Sequence, residues 1–222
     1  MLVNAIYFLG DWEEPFTKEG TRATPFHLTS ATTRAVPTMW RLGTLRLAQT
    51  AGLKTLELRY AGGALSMLVL LPDAVDGLSA LEASLSTARL DAIVAGLAST
   101  RVLVALPKFE IDPASSLSLR ELLESMGMGL AFDKVKADFT GIANPPDPRD
   151  RLSIGNVFHK AFVRVDEKGT EAAAATAVVM QRVGAAAWSV KPLEFIADHP
   201  FLFLIRDNAT GLIVFMGRVA AP

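Results

Sequence analysis

The sequence predicts a single α+β domain in which β-strands outnumber helices. Short apolar and β-branched runs recur along the chain, three of them are joined by very short glycine-containing connections, and helical spacing of apolar residues is confined to a few segments. The chain has 222 residues, of which 50% are hydrophobic, and contains no repeat or dividing linker. This length and composition are sufficient for one large buried core.

The predicted strands share runs of apolar, β-branched or aromatic residues bounded by glycine, proline or small polar residues. They lie at residues 2–8, 21–28, 35–40, 42–48, 53–60, 65–71, 101–111, 157–167, 201–205 and 212–219. Within the series 42–71 the connections are only Ala51-Gly52 and a segment containing Gly62-Gly63. Connections this short predict an antiparallel meander.

Three helices are predicted from apolar residues at helical spacing. Two of them lie at residues 76–85 and 87–97, with Asp76 and Ser86 as candidate amino-terminal caps. A third at residues 116–126 carries its leucines and Met126 on one face. The prolines of segment 144–148 remove backbone donors and forbid a helix, so this segment is predicted to be a surface loop.

Charge and composition exclude several classes of partner. The 22 lysines and arginines nearly balance the 23 aspartates and glutamates, and no long basic run occurs, so nothing indicates binding to nucleic acid or to an anionic membrane. The longest apolar runs are too short to cross a bilayer. The absence of cysteine removes disulfides, thiolate nucleophiles and cysteine metal sites. We expect a partner that is another protein or a small molecule.

The motifs of common enzymes are missing from the chain. There is no Gly-x-Ser-x-Gly elbow, phosphate loop, dinucleotide fingerprint or His-Glu-x-x-His pair. The histidines His27, His159 and His199 lie on or beside separate predicted strands, without a second ligand at metal spacing. We therefore expect a protein that is not an enzyme and that uses no metal or other cofactor.

The alanine-rich segment 167–180 has two interpretations. Thr170 as cap, Glu171 in the first turn and four successive alanines favour a helix. At a period of two, however, one face is small and uncharged throughout, and it consists of Thr170, Ala172, Ala174, Thr176, Val178 and Met180. Such a segment can enter a sheet between existing strands without desolvating a charge, with Gly169 as a pivot. Local pattern alone leaves both interpretations open.

This segment also resembles a known protein family. Its hinge residues, Glu167, Lys168, Gly169, Thr170, Glu171, Ala172, Ala173, Ala174, Ala175 and Thr176, are similar to the proximal hinge of inhibitory serpins. Residues 195–205 resemble the carboxy-terminal signature of that family. Further serpin-like landmarks occur in the family's order at residues 2–8, 24–26, 106–109, 126–128, 131–132, 137–141 and 159–161. The resemblance runs from end to end and identifies the chain as the carboxy-terminal portion of a serpin.

The resemblance implies one α+β domain with three sheets and a mobile reactive loop. A serine protease would cleave that loop as it cleaves a substrate and remain bound as an acyl-enzyme. The hinge would then insert between the strands at residues 2–8 and 157–167, which makes the uninserted protein metastable and the inhibitor a suicide substrate. The resemblance also implies an extracellular location, although residues 1–8 contain no recognisable secretory signal.

The family's spacing from the hinge places the reactive bond between Val183 and Gly184, or one residue earlier at Arg182. A count from the Pro200 end gives Ser189 instead. Val183 would suit an elastase-like protease and Arg182 a trypsin-like one.

Four residues match family positions where the main sheet opens: Asn4, Trp12, Lys108 and His159. We predict an ion pair between Lys108 and Glu167 with Trp12 packed nearby. We also predict that His159 is buried and hydrogen-bonded to Asn4.

The segments that precede residues 2–8 in serpins, several helices and some sheet strands, have no counterpart in this sequence. We therefore expect a truncated product or part of a longer chain, with an exposed strand edge and an uncovered apolar face. The alternative function is a noninhibitory or inactive serpin-like binding protein. The small residues of the hinge argue against it, because noninhibitory members tend to carry charged or bulky residues there.

Overall fold

The structure is a computed structural model that describes residues 1–170 and 191–222. The chain divides into two compact units, which are described separately. The small unit comprises Met1–Phe8 and Ile111–Val163, and the large unit comprises Leu9–Glu110 and Arg164–Pro222. The single domain expected from the sequence stays a prediction.

Strands predominate among the described residues, as the sequence predicted. They are Leu2–Tyr7 (β1), Gly10–Asp11 (β2), Thr21–Thr29 (β3), Thr32–Thr50 (β4), Leu53–Arg59 (β5), Leu65–Pro72 (β6), Ala98–Pro107 (β7), Phe109–Ile111 (β8), Leu117–Ser118 (β9), Val157–Val165 (β10), Gly169–Thr170 (β11), Leu193–Ile196 (β12), Phe201–Asp207 (β13) and Ile213–Val219 (β14). The α-helices are Leu78–Ser84 (α1), Thr87–Ala95 (α2), Arg120–Leu123 (α3) and Gly129–Phe132 (α4).

The sheet of the large unit has the order β12-β7-β4-β5-β6-β13-β14, and β3 pairs with β4. The strands β4, β5 and β6 pair antiparallel through tight turns, which confirms the predicted meander. Gly52 makes the first of these turns with a φ of 78°, a conformation that glycine adopts without a steric penalty. The meander thus follows directly from the short connections in the sequence.

The prediction of separate strands at residues 35–40 and 42–48 is wrong, because the structure has one continuous strand of 19 residues, β4. Its middle is held by β7, where Leu42 lies opposite Leu103 and Gly43 opposite Val102. The ladder with β7 thus carries the strand across the position where the local pattern indicated a break.

The helices α1 and α2 cover one side of this sheet. Their buried residues pack against residues of β6 and β13 in one apolar cluster, which includes Leu78, Leu81, Leu90, Ile93, Leu68, Leu70, Leu202 and Leu204. Ser86 caps α2 by accepting a hydrogen bond from the Arg89 amide at 3.2 Å, as predicted. Asp76 does not cap α1, because its carboxylate accepts the Ser30 amide instead.

The predicted helix at 116–126 is wrong at its start, and its regular α-helical part ends at Leu123. Leu117 and Ser118 form β9 and pair with β10, so helix begins only at Arg120. Beyond α3, Gly127 has a φ of 98° and interrupts the regular helix. Leu122 and Met126, which were predicted to lie on one face of this helix, are 55% and 72% exposed. Pairing with β10, which is distant in sequence, therefore overrides the local helical preference of Leu117 and Ser118.

The predicted strand at 101–111 is divided at Lys108, between β7 and β8. Pro107 ends β7, and the Lys108 amide donates to the Pro37 carbonyl at 2.9 Å. The break directs the Lys108 side chain towards the site described below.

In the small unit, β1 pairs parallel with β10 from Leu2 opposite Val157 to Tyr7 opposite Phe162. The predicted adjacency of the two strands is therefore confirmed. Tyr7 and Phe162 stack with ring centroids 5.5 Å apart. All six residues of β1 are exposed.

Candidate functional site

The carboxyl end of β10 reverses direction and brings residues 167–170 back along the sheet. β10 ends at Val165, earlier than the predicted limit of 167, because the Asp166 amide donates to the Gly169 carbonyl at 2.9 Å. The Asp166 carboxylate accepts the Lys168 amide, also at 2.9 Å. These bonds close a turn after which Thr170 lies opposite Val165 in an antiparallel pair. A tight turn after Val165 thus determines where the first hinge residues lie.

Gly169 allows β11 to approach β2 very closely. It lies opposite Asp11, and Thr170 lies opposite Gly10. A Cβ atom at Gly169 would stand 2.1 Å from the Gly10 carbonyl oxygen and 2.7 Å from the Asp11 Cα. Because both obstacles are backbone atoms, no side chain fits here without displacing a strand. Within the large unit, β11 consequently lies between β2 and the end of β10.

The predicted ion pair is present at this turn. The Lys108 Nζ lies 2.8 Å from the Glu167 carboxylate, which also accepts the Thr21 hydroxyl at 2.7 Å. Glu167 is buried, and burial alone would raise its pKa; the hydrogen bonds from Lys108 and Thr21 outweigh this and lower the pKa below its usual value. The carboxylate is therefore charged at neutral pH and holds the turn to the start of β3 and to Lys108, between β7 and β8.

Trp12 lies beside the turn, as predicted, and is buried. Its indole Nε1 donates to the Asp166 carbonyl at 3.0 Å, and its backbone amide donates to the Lys168 carbonyl at 2.7 Å. Its ring stacks on Tyr60 with centroids 4.7 Å apart. The Phe16 amide adds a bond of 2.8 Å to the Glu167 carbonyl. The turn is thus bound to the segment that follows β1 and β2.

Tyr60, whose role the sequence did not predict, also belongs to this site. Thr170 is fully buried, and its hydroxyl lies 2.8 Å from the Tyr60 hydroxyl, which is also buried. Burial raises the pKa of Tyr60, although the hydrogen bond to Thr170 works in the opposite direction. The sequence offered no signal for this contact, because the two residues are separated by 110 positions and an aromatic residue at a strand end is usually part of the core.

The other predicted contact lies in the small unit. Asn4 and His159 face each other in the β1–β10 register, and the His159 Nδ1 lies 3.1 Å from the Asn4 Oδ1. The predicted hydrogen bond is therefore confirmed. The expectation that the imidazole is buried is wrong, since His159 is only half-buried and Asn4 is exposed. The neighbours of Asn4 on this face of β1, Leu2 and Ile6, are also exposed.

Several predicted positions lie outside the described residues. These are Glu171, Ala172, Ala173, Ala174, Ala175 and Thr176 of the hinge, and Arg182, Val183, Gly184 and Ser189 of the reactive loop. Their roles stay predictions. Residues 1–170 and 191–222 contain no group of three or more histidine or acidic side chains that could hold a metal ion. No helix in the same residues is long and apolar enough to cross a membrane.

Comparison with known proteins places this geometry in a family. The family described as Serpin (serine protease inhibitor) matches residues 1–222. The chain is 38% identical to Serpin B12 of Homo sapiens, covering 100% of the chain and 54% of that protein. It is also 38% identical to the Intracellular coagulation inhibitor 1 of Tachypleus tridentatus, covering 98% of the chain and 50% of that protein.

Solved structures agree with these relatives. Uncleaved ovalbumin superposes with a TM-score of 0.83 at 34% identity, covering 99% of this chain and 53% of that one. A tumour suppressing serpin gives the same TM-score, 0.83, at 28% identity, covering 99% of this chain and 56% of that one. The predicted α+β serpin-like class is thereby confirmed. The chain spans about half the length of the curated relatives it matches. The chain belongs to the serpin family.

Proposed function

We propose that this chain supplies the reactive loop, its hinge and the sheet that receives the hinge in an inhibitor of serine proteases. The protease cleaves the loop after Val183, or after Arg182, and forms an acyl-enzyme. The hinge then inserts as a new strand, and the attached protease is displaced before it can deacylate. An elastase-like enzyme fits Val183 and a trypsin-like enzyme fits Arg182. An extracellular location is part of the same proposal.

The seating of Gly169 and Thr170 between β2 and the end of β10 supports this proposal most strongly. A strand that is to insert needs a point of entry, and here the first two residues already pair on both sides. Extending β11 by roughly ten residues would add about 1 kcal/mol of net stability per hydrogen bond. A gain of order ten kcal/mol is enough to distort the active site of a bound protease.

A noninhibitory or inactive serpin-like binding protein is the second candidate. The exposure of all six residues of β1 favours it, because a sheet that lacks cover is poorly suited to drive insertion. The two candidates differ in one observable product, which is a protease-bound form that resists denaturation.

Thr170→Arg tests the inhibitory mechanism. This substitution would place a cation in a fully buried position, at a cost of several kcal/mol, so insertion slows while cleavage does not. In a serpin chain long enough to inhibit, we expect the variant to be cut at the same bond and to release active protease. The measurement is the number of inhibitor molecules consumed per protease trapped, after incubation with a panel of serine proteases and denaturing electrophoresis.

Glu171→Arg is the matched control, since the period-two pattern predicts that this neighbour faces water. It should raise the consumed number far less than Thr170→Arg does. Equal effects of the two substitutions would contradict the alternation of faces. If no protease yields a stable complex with the unsubstituted protein, the noninhibitory candidate replaces the proposal.

A further inference from the structure

The contact between two buried hydroxyl groups suggests how the hinge is held in its resting position. We propose that Tyr60 is a positioning residue whose hydroxyl latches Thr170 in its seat, and that this contact sets the fraction of molecules in which β11 is seated. Any effect of this latch on protease trapping rests on the proposed function above. The latch itself is a property of the resting chain and needs no protease.

The geometry makes the contact hard to replace by water. The two hydroxyl oxygens are 2.8 Å apart, Thr170 is 0% exposed and Tyr60 is 3% exposed. Breaking a hydrogen bond between two buried hydroxyls costs free energy that is not regained until water enters the site. Leaving the seat therefore costs this hydrogen bond unless the hinge moves far enough for water to enter.

Tyr60 is the fixed member of the pair. Its ring stacks on Trp12, its amide donates to the Leu65 carbonyl at 3.0 Å, and the next amide, of Ala61, donates to the Asp11 carbonyl at 2.8 Å. Burial raises the pKa of Tyr60, so the phenol keeps its proton at neutral pH and can donate. Thr170 is the movable member, because β11 contains only two residues.

The latch is distinct from the ion pair at the turn. Lys108 and Thr21 hold Glu167, which lies before β11, whereas Tyr60 holds Thr170 at its far end. With so short a strand, the backbone pairs with Gly10 and Val165 are few, and one side-chain hydrogen bond contributes a large share of the seating energy. The Tyr60 hydroxyl therefore sets how often β11, which includes the Gly169 carbonyl bonded to the Asp166 amide, leaves its seat.

A double-mutant cycle with Tyr60→Phe and Thr170→Val tests the latch on the 222-residue chain. Both substitutions keep the shape of the side chain and remove only the hydroxyl's hydrogen bonding. The measurement is residue-resolved hydrogen exchange of the Trp12 and Asp166 amides, whose bonds end on the Lys168 and Gly169 carbonyls. Each single substitution should accelerate this exchange by roughly 5- to 30-fold, the factor that corresponds to one lost buried hydrogen bond. The acceleration in the double variant should be smaller than the product of the two single accelerations, because each single substitution already removes the hydrogen bond that the two residues share.

Thr24→Val is the matched control, because it removes a hydroxyl that donates to Thr38 at 2.6 Å on β3 and β4. It should leave exchange at Trp12 and Asp166 unchanged. If Tyr60→Phe unfolds the large unit, the exchange rates of Thr170→Val alone test the latch, because this substitution removes the same hydrogen bond at its other end.

Strictly multiplicative effects in the double variant, or no acceleration in either single one, would overturn the latch. Such a result leaves the inhibitor proposal standing, because no protease takes part. Conversely, a failure to trap a protease would contradict the proposed function but would not change the result of the double-mutant cycle.

Discussion

At the scale of single residues, the close pairing of β11 with β2 requires a residue without a side chain at position 169. We expect Gly169→Ala to destabilise the large unit by about 1–3 kcal/mol, the usual range for overpacking, since the new methyl group would meet the Gly10 carbonyl at 2.1 Å. Urea unfolding followed by Trp fluorescence measures this. Gly43→Ala, in β4 with its nearest neighbour at 3.5 Å, should change stability little. An equal loss in both variants would mean that the close approach at Gly169 is not the cause.

His199 is a second residue whose environment determines its charge. Its Nδ1 lies 2.7 Å from the Asp198 carboxylate and its Nε2 lies 2.6 Å from the Pro72 carbonyl, and neither oxygen can donate. Burial disfavours the charged ring, but these two hydrogen bonds outweigh burial and the nearby Lys54, so the pKa of His199 is raised above its ordinary 6.5. The ring joins the end of β6, at Pro72, to the segment that leads into β13.

This contact predicts a loss of stability at alkaline pH. A raised pKa in the folded state means that the stabilisation is complete below about pH 6.5 and is lost as the pH rises through the folded value. Asp198 does not mask the effect, because its lowered pKa removes stability only in acid, below 3.8. His199→Gln should abolish the decline between about pH 6 and about pH 9, measured by urea unfolding at each pH. An unsubstituted protein whose stability is constant or rises over this interval would contradict the assignment.

At the scale of elements, the turn between β10 and β11 depends on one carboxylate. Glu167→Lys would set two cations against each other and remove the acceptor of the Thr21 hydroxyl. We expect a loss of about 1–3 kcal/mol, less than for a fully buried pair, since the Lys108 side chain is 33% exposed.

Opening of this turn should also promote self-insertion between molecules, which would appear as a ladder of oligomers in native electrophoresis. Arg120→Glu, which reverses the charge of an exposed (i, i+4) pair with Glu124, is the control and should form no ladder. A Glu167→Lys protein as monomeric and as stable as the unsubstituted one would show that the ion pair does not hold the turn.

At the scale of the whole molecule, β1 is an exposed apolar strand that pairs only with β10 among the described strands. Val3 is 66% exposed and Leu2 is 53% exposed, so we expect the 222-residue chain to self-associate through this strand. Val3→Lys should require about tenfold more protein for half-association, because one buried valine contributes about 1.5 kcal/mol.

Light scattering over a dilution series measures this association. Val135→Lys makes the same change at a position that is 84% exposed and outside the strands, and it should have no effect. Equal effects of the two lysines would locate the association somewhere other than β1.

The sequence by itself determined the elements whose information is local. Apolar and β-branched runs bounded by glycine and other turn residues predicted β1, the β4–β5–β6 meander, β13 and β14, because strand propensity and turn chemistry are local properties. The hinge motif and the family landmarks led to the Lys108–Glu167 pair and to the Asn4–His159 contact.

The tertiary structure alone decided the features that depend on a distant partner. β7 made β4 one strand, β10 drew Leu117 and Ser118 out of the predicted helix, and Tyr60 came to face Thr170. The acceptors Asp198 and Pro72 likewise raised the pKa of His199. A residue's own neighbours in sequence specify which face it presents, but the partner that satisfies a buried polar group or continues a strand comes from elsewhere in the chain, so its identity emerges only from the packed fold.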